Sequence, residues 1–248
     1  MEWTAAVVLV FVTVVIASSG ARETARQALR TGLCTAAALV TALAWFAAGS
    51  GTAGLGIGAG EAPPFAVAWI LSIPLLLAAL SITAAPLPRV RRAVGGDPAT
   101  ADVAPVAGAM LAAGAVMVLA HWIALASEGA VAWVWLVALL ALLAVTLFTL
   151  WDPLRDASEE GHPLRAETYL RHAAVLSVFL AAYPLVLLGA LSGVLSDEAA
   201  VTAYALLDLA AIGGFALYVV LDDKRLAEIE TEDGTFPPVI PRAARETP

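Results

Sequence analysis

The chain has 248 residues, of which 61% are hydrophobic and 14% charged, with a formal net charge of −8 and a mean hydropathy of +0.88. So apolar a composition excludes an ordinary soluble domain, and the negative charge predicts no nucleic-acid partner. Apolar blocks reach the roughly 20 residues that a helix needs to cross about 30 Å of hydrocarbon. They lack the alternation of a membrane β-strand, so the sequence predicts an all-α membrane protein in contact with the lipid bilayer.

Seven apolar blocks follow one another along the chain. The predicted helices are Trp3–Ser19, Thr31–Gly49, Pro64–Ala84, Ala104–Ala126, Ala130–Trp151, Tyr169–Gly193 and Ala199–Leu221. No basic residue precedes the first block, so it is predicted to be a permanent span and not a cleaved signal. We predict a seven-transmembrane-helix bundle over residues 1–222 and a polar cytoplasmic tail, partly disordered, over residues 223–248.

The basic residues predict the orientation of the bundle. All 13 belong to the connections after the first, third and fifth helices, to the helix ends beside them, or to the region after the seventh helix. They are Arg22, Arg26, Arg30, Arg89, Arg91, Arg92, Arg155, Arg165, Arg171, Lys224, Arg225, Arg242 and Arg245. Because basic residues stay on the cytoplasmic side, the N-terminus is predicted outside and the C-terminus in the cytoplasm of a multi-pass plasma-membrane protein.

Few ionisable residues lie inside the predicted spans, where they are costly and mark candidate functional positions. Asp208 lies in the middle of the seventh helix. It is predicted either to be a protonated acid that ties two helices together through tyrosines such as Tyr183, or to bind a ligand or an ion. His121 lies toward the outer end of the fourth helix and is expected to be a structural histidine near an interface.

No catalytic grouping is visible in the sequence. It has no histidine pair at ligand spacing and no phosphate-binding glycine loop, and its single cysteine, Cys34, cannot form an internal disulfide. A magnesium-dependent prenyltransferase would need two acidic motifs. Asp152 and Asp156 form one acidic pair, and Asp222-Asp223 is only a weak candidate for the second. We predict that the chain is not an enzyme and has no catalytic or metal site.

Three segments resemble the microbial (type I, bacteriorhodopsin-like) rhodopsins. Ala182-Tyr183-Pro184 in the sixth helix looks like the family's Ala-Tyr-Pro signature. Residues 207–215, Leu-Asp-Leu-Ala-Ala-Ile-Gly-Gly-Phe, are similar to its Leu-Asp-Val-Ser-Ala-Lys-Val-Gly-Phe segment. Residues 68–77, Ala-Trp-Ile-Leu-Ser-Ile-Pro-Leu-Leu-Leu, resemble Asp-Trp-Leu-Phe-Thr-Thr-Pro-Leu-Leu-Leu. Residues 133–135 in the fifth helix, Trp-Val-Trp, match more loosely.

The sequence departs from this family at the positions that carry its chemistry. The resemblance aligns the lysine that holds retinal with Ile212, and the only lysine in the chain is Lys224. The resemblance aligns the family's proton acceptor with Ala68 and its proton donor with Ala79. It aligns the family's arginine with Phe65, and the two tryptophans that pack against retinal with Leu180 and Leu187. Asp208, Tyr183 and Ser72 are retained. The resemblance therefore implies a family member that lacks the Schiff-base lysine and has no covalent cofactor.

The leading prediction is a rhodopsin-like scaffold or regulatory partner, in retinal or carotenoid metabolism or in sensory signalling, and not a light-driven pump. One alternative is noncovalent binding of retinal, a carotenoid or another isoprenoid. A second is a passive ion channel or transporter, against which the shortage of polar residues argues. The candidate pocket residues are Trp69, Ser72, Pro74, Trp135, Leu180, Tyr183, Leu187, Asp208 and Ile212.

Small residues in the second and fourth predicted helices, Ala36–Ala38, Gly108, Ala112 and Gly114, allow helices to approach closely. They support a homo-oligomer or a membrane-protein partner, and tight packing within one chain explains them equally well. One lysine against twelve arginines, together with the acidic balance, is typical of a halophilic archaeon, and a GC-rich genome would produce the same bias.

Overall fold

The computed structural model describes residues 2–19, 25–51, 64–84, 103–159 and 163–222. The regular elements in these ranges are helices: α1 (Glu2–Ser19), α2 (Ala25–Gly49), α3 (Pro64–Ala84), α4 (Val103–Ala126), α5 (Gly129–Trp151), α6 (Pro153–Glu159) and α7 (Pro163–Leu191). The last helix, α8, begins as Asp197–Asp208, passes through the π-helical segment Leu209–Gly214 and continues to Asp222. Within the described ranges, seven helices are long and apolar enough to cross a membrane, which confirms the predicted all-α seven-helix membrane fold.

The described helices extend beyond several predicted boundaries. The second begins at Ala25 instead of Thr31, and the sixth begins at Pro163 instead of Tyr169 and ends at Leu191. An apolar block marks the part of a helix that crosses hydrocarbon, and polar helix-forming residues continue the helix into the headgroup region. The predicted tail, residues 223–248, lies outside the described residues.

The short helix α6 was not predicted. Pro153 occupies its first position, where the missing proline N–H costs no hydrogen bond, and Arg155 forms an ion pair with Glu159 across one turn at 2.8 Å. Of the predicted acidic pair, Asp156 lies in this helix and Asp152 directly precedes it, and the backbone N–H of Asp156 donates to the Asp152 carbonyl at 3.0 Å.

The helices pack as a ring in chain order. Each membrane-spanning helix contacts the next, α8 returns to α1, and α3 also contacts α7 across the bundle. In the apolar window of α3, 78% of the residues are buried, against 28% in each of α1, α5 and α7. Because α3 is the enclosed helix, its side chains are the ones best placed to build an internal site.

Close packing of α3 against α4 depends on Gly114. A Cβ added there would lie 2.8 Å from Leu77 Cδ1 and 3.2 Å from Pro74 Cα. The same atom added at Gly108 would meet nothing within 4 Å. Packing within one chain therefore accounts for Gly114, and Gly108 remains available to a partner helix.

Apolar side chains that face away from the bundle meet lipid. Trp133 and Trp151 on α5 are both exposed, and they lie about 27 Å apart along the helix at 1.5 Å per residue. This separation is close to the thickness of the hydrocarbon core. The two indoles are therefore spaced to sit at opposite membrane interfaces.

Candidate functional site

The centre of the bundle holds a carboxyl group with three hydrogen-bond donors. Asp208 is fully buried. Its Oδ2 accepts a hydrogen bond from Trp45 Nε1 at 2.8 Å, and its Oδ1 accepts from Trp69 Nε1 and from Tyr183 Oη, each at 2.7 Å. The Tyr183 bond is the one that the sequence predicted, and it joins α7 to α8. The two indole bonds extend the same junction to α2 and α3.

The local structure of each helix places these groups. Tyr183 directly precedes Pro184, which lies inside α7. Asp208 is the last residue before the π-helical segment of α8, which contains Ile212. π-Helical segments are rare and frequently occur at functional sites. Gly213, in the same segment, allows close packing against α1, because a Cβ there would lie 3.1 Å from Leu9 Cδ2.

The donors around Asp208 are neutral. An indole N–H can only donate, so the Asp208 oxygens act as acceptors toward both tryptophans. Among the described residues no cation forms an ion pair with Asp208. The site therefore stabilises a carboxyl group through fixed dipoles and without a positively charged partner.

Aromatic rings enclose the carboxyl group on its α3 side. Phe65 stacks on Trp45 with ring centroids 5.0 Å apart, and it also contacts Trp69 at 5.2 Å and Tyr204 at 5.7 Å. Trp69 in turn lies 4.9 Å from Tyr204 and 5.0 Å from Tyr183. We call Trp45, Phe65, Trp69, Tyr183 and Tyr204 the aromatic cluster.

The side chain of His121 packs into this core. Its side chain is buried, and its Nε2 lies 3.1 Å from Tyr204 Oη. Its ring meets Trp69 edge-on at a centroid distance of 5.2 Å. The sequence predicts a structural histidine toward the outer end of α4, but it could not show that α4 turns this residue inward, onto the aromatic cluster.

A cavity lies beside the aromatic cluster, between α3, α4, α5 and α7. Its empty space is about 280 Å³, including the part that opens outward. The lining is mostly apolar and consists of Trp69, Ile73, Met117, Val118, His121, Leu139, Leu180, Tyr183 and Pro184. The part of it that the centre of a water molecule can occupy is about 10 Å³, which is room for about one water. Pockets for small-molecule ligands occupy roughly 300–1,000 Å³, so the cavity is far smaller than a ligand pocket.

The predicted pocket residues fall into three groups. Trp69, Leu180 and Tyr183 line the cavity. The buried side chains of Ser72, Leu187, Asp208 and Ile212 lie outside its lining, and Ser72 Oγ donates to the Ala68 carbonyl of its own helix at 3.0 Å. Pro74 and Trp135 also lie outside the lining: Pro74 packs at Gly114, and Trp135 is half-buried against the core.

Among the hydrogen-bonding side chains of the site, Trp45, His121 and Tyr204 were not among the predicted pocket residues. Trp45 carried one signal that could have found it. A tryptophan several residues inside a span, away from the interfacial belt, must bury its indole N–H and therefore needs an acceptor. Its partner across 163 positions of sequence could not be read without the fold.

A second set of buried polar side chains lies near the C-terminal end of α8. His172 Nε2 is 3.3 Å from Asp222 Oδ2, and both side chains are buried. The His172 ring is also packed edge-on by Tyr218 at 4.8 Å and by Phe215 at 6.1 Å. Arg30 Nη1, in α2, donates to Thr83 Oγ1 in α3 at 3.2 Å. This end of the bundle is therefore held by polar contacts between the helices.

Seven spanning helices around a buried aspartate with tryptophan and tyrosine donors define a rhodopsin-type membrane protein. The sequence pattern of the family described as bacteriorhodopsin-like protein matches residues 1–222. This chain belongs to the bacteriorhodopsin-like protein family. No curated protein matches the sequence.

Solved structures share this fold at low sequence identity. The thermophilic rhodopsin of Rubrobacter xylanophilus is 21% identical with a TM-score of 0.76, over 93% of this chain and 100% of its own. The light-driven proton pump of Coccomyxa subellipsoidea is 20% identical with a TM-score of 0.72, over 89% and 94%. The light-driven proton pump of Leptosphaeria maculans is 17% identical with a TM-score of 0.73, over 90% and 94%. At these identities the likeness establishes the fold alone.

Proposed function

We propose that this protein is a rhodopsin-like membrane protein without covalently bound retinal, that it is not a light-driven pump, and that it acts as a scaffold or regulatory partner of another membrane protein. Two features of α8 together carry the proposal. Position 212 is a buried isoleucine, and the buried carboxyl group of Asp208 accepts hydrogen bonds only from neutral groups.

Covalent attachment of retinal requires a lysine amine in α8, and α8 does not supply one. The family resemblance aligns the retinal-bearing lysine with Ile212, whose side chain is fully buried in the π-helical segment. The sequence between Asp197 and Asp222 contains no lysine. Lys224, the only lysine, follows twelve residues after Ile212, a distance of about 18 Å along a helix.

The surroundings of Asp208 agree with the loss of a cation at position 212. A protonated Schiff base would supply a positive charge, and buried charges require a partner of opposite sign. Here the carboxyl group is satisfied by two indoles and a phenol instead. The positions that the resemblance aligns with the proton acceptor and donor, Ala68 and Ala79, are buried alanines and cannot carry a proton.

The scaffold or regulatory role rests on fold-level analogy with the family, in retinal or carotenoid metabolism or in sensory signalling. We place the N-terminus outside and the C-terminus in the cytoplasm, because every basic residue lies on one side of the predicted topology. The outward apolar faces of the helices and Gly108 offer room for a homo-oligomer or another membrane protein.

Light should drive no proton movement by this protein. Vesicles containing it, supplied with all-trans retinal and illuminated, are expected to give the same external pH trace as vesicles without protein, because Ile212, Ala68 and Ala79 occupy the positions that the resemblance aligns with the Schiff-base lysine, the proton acceptor and the proton donor. The Coccomyxa subellipsoidea proton pump, reconstituted at the same density, serves as the positive control. A light-dependent pH change that an uncoupler abolishes would overturn the proposal.

A second candidate function is noncovalent binding of an apolar ligand such as retinal, a carotenoid or another isoprenoid. The observation that favours it is the mostly apolar lining of the cavity beside the aromatic cluster, and the helices around this cavity would have to move apart to admit such a ligand. Leu180 lines this cavity where the resemblance aligns a retinal-packing tryptophan, so part of the space comes from a smaller side chain. Pigment that co-purifies and is extracted intact by solvent would support this candidate.

A further inference from the structure

His172, on α7, is a fully buried ring without a hydrogen bond. Among the described residues, neither of its ring nitrogens has a hydrogen-bond partner of suitable geometry. Its Nε2 lies 3.3 Å from Asp222 Oδ2 on α8, which is the distance of an ion pair. Buried polar atoms are nearly always hydrogen-bonded, so an imidazole in this state points to a group that changes its charge or its contacts.

The charges around this ring do not favour a further positive one. Within the described part of the chain, Asp222 supplies the negative charge beside the ring, and Arg30 on α2 is a buried cation that acts on it. Arg165, two turns earlier on α7, is a second buried cation. Arg171, the adjacent residue, is exposed and forms an ion pair within its own helix. A proton on His172 would therefore add a buried positive charge without a further acid to offset it, which is costly.

The other helices at this end of the bundle bring no titratable group that changes this balance. α3 and α5 contain none, and the one in α1, Glu2, lies at its opposite end. On α6, Arg155 pairs with Glu159, and Asp156 is exposed. On α8, Tyr218 packs edge-on against the imidazole at a centroid distance of 4.8 Å. The closed arrangement is therefore suited to a neutral ring.

We propose that the contact between His172 and Asp222 is a proton-controlled latch, which holds α7 against α8 while the imidazole is neutral and releases it when the imidazole gains a proton. Histidine is the side chain whose charge ordinarily changes between about pH 5 and pH 8. Water can hydrate the protonated ring once the helices separate, so the open form binds a proton more readily than the closed form. By linkage, a lower pH then shifts the population toward the open form.

The other contacts of α7 show how the latch would move this helix. Tyr169 Oη donates to the Leu150 carbonyl at 2.6 Å, and Trp151 Nε1 donates to Ser177 Oγ at 3.0 Å. These directional bonds join α7 to α5 and do not involve α8. Pro184, farther along α7, has no N–H and marks a point where a helix bends. We therefore expect the part of α7 before Pro184 to move with α5, away from α8.

The latch would connect the pH on one side of the membrane to the surface that a partner meets. His172 and Asp222 lie at the end of the bundle that we place in the cytoplasm, and Asp222 directly precedes residues 223–248. Separation of α7 from α8 would expose the facing sides of both helices there. The inference goes beyond the proposed function, because it assigns a signal to the protein and requires no pigment.

The distance between spin labels on α7 and α8 measures the opening. Pairs of cysteines are introduced into the Cys34→Ala chain at exposed positions, and the labelled protein is studied in lipid nanodiscs by electron paramagnetic resonance between about pH 8 and pH 5. Labels at Ala174 and Leu221 report the separation of α7 from α8. Labels at Ala174 and Phe148 report the separation of α7 from α5.

The α7–α8 distance should gain a longer component as the pH falls, and the ratio of open to closed forms should rise by at most about 10-fold per pH unit, the limit for one proton. The α7–α5 distance should not change. His172→Phe, which keeps a ring but cannot ionise, should stay closed over the whole range. Asp222→Asn removes the negative charge beside the ring, so opening should begin at a higher pH. His162→Phe, the control for another histidine, should respond as the parent does.

An α7–α8 distance that is the same at both ends of the pH range would overturn the inference. A shorter distance at low pH would also overturn it, because the protonated ring would then strengthen its contact with Asp222. The same pH response in His172→Phe would assign the opening to another group and would contradict the latch. If phenylalanine prevents folding at this position, His172→Gln, which is also neutral at every pH, takes its place and must likewise stay closed.

Discussion

Replacing Asp208 with alanine is expected to lower the free energy of unfolding by roughly 2–5 kcal/mol. The change leaves the indole N–H groups of Trp45 and Trp69 and the hydroxyl of Tyr183 without their acceptor in a buried site. Each unsatisfied buried donor costs about 1–3 kcal/mol, and the tyrosine hydroxyl can regain part of its loss by turning to a water. Unfolding of the purified protein in mixed micelles with increasing dodecyl sulfate measures the difference.

Asp208→Asn is the matched control for this prediction. Its amide oxygen still accepts, but its NH₂ group faces at least one donor, so the loss should be about 1–2 kcal/mol. A second control, Asp152→Ala, removes an exposed carboxyl group and should change stability by less than about 0.5 kcal/mol. If Asp208→Ala were as stable as wild type, the three bonds would not hold α2, α3 and α7 to α8 as described.

His172→Ala is expected to cost roughly 2–4 kcal/mol. The substitution removes a fully buried ring that Tyr218 and Phe215 pack edge-on, and it takes away the group 3.3 Å from the buried Asp222 carboxylate. A cavity and a weakened polar contact both contribute to this cost. The same micelle unfolding experiment provides the measurement.

Arg171→Ala, at the adjacent position, is the control that distinguishes the loss of a buried contact from the loss of a positive charge in the unfolding experiment. Arg171 is 43% exposed and pairs with Glu167 across one helical turn at 3.5 Å, and exposed pairs of this kind contribute about 0–1 kcal/mol. A loss for Arg171→Ala as large as that for His172→Ala would show that the charge of this region, rather than the buried contact, stabilises α7 against α8.

The membrane fold could be predicted from the sequence because its cause is local. Each span must be long and apolar by itself, so Pro64–Ala84 was predicted with the same bounds that α3 has. The ends of α2 and α7 were predicted less well, because polar residues such as Arg165 continue a helix beyond the apolar block. The short helix α6 was missed because seven residues leave no apolar signal of spanning length.

The internal site was predictable only in part. Asp208 and Tyr183 stood out because a carboxyl group and an aligned Tyr-Pro pair are unusual in apolar spans. Trp45 and His121 were overlooked as site residues because an indole or an imidazole is common in a helix, and their roles depend on which way each helix turns. That rotation comes from packing between helices, as at Gly114 against Pro74, and no local pattern encodes it.

The most direct test of the central proposal asks whether retinal becomes covalently attached. The visible spectrum of the purified protein is recorded before and after addition of all-trans retinal, followed by borohydride reduction, denaturation and mass measurement of the chain. The proposal predicts no retinal mass on the denatured chain, whether or not solvent extracts a noncovalent pigment beforehand. A red-shifted band that reduction fixes to the protein would contradict it, and would mean that a lysine reaches the ligand despite Ile212.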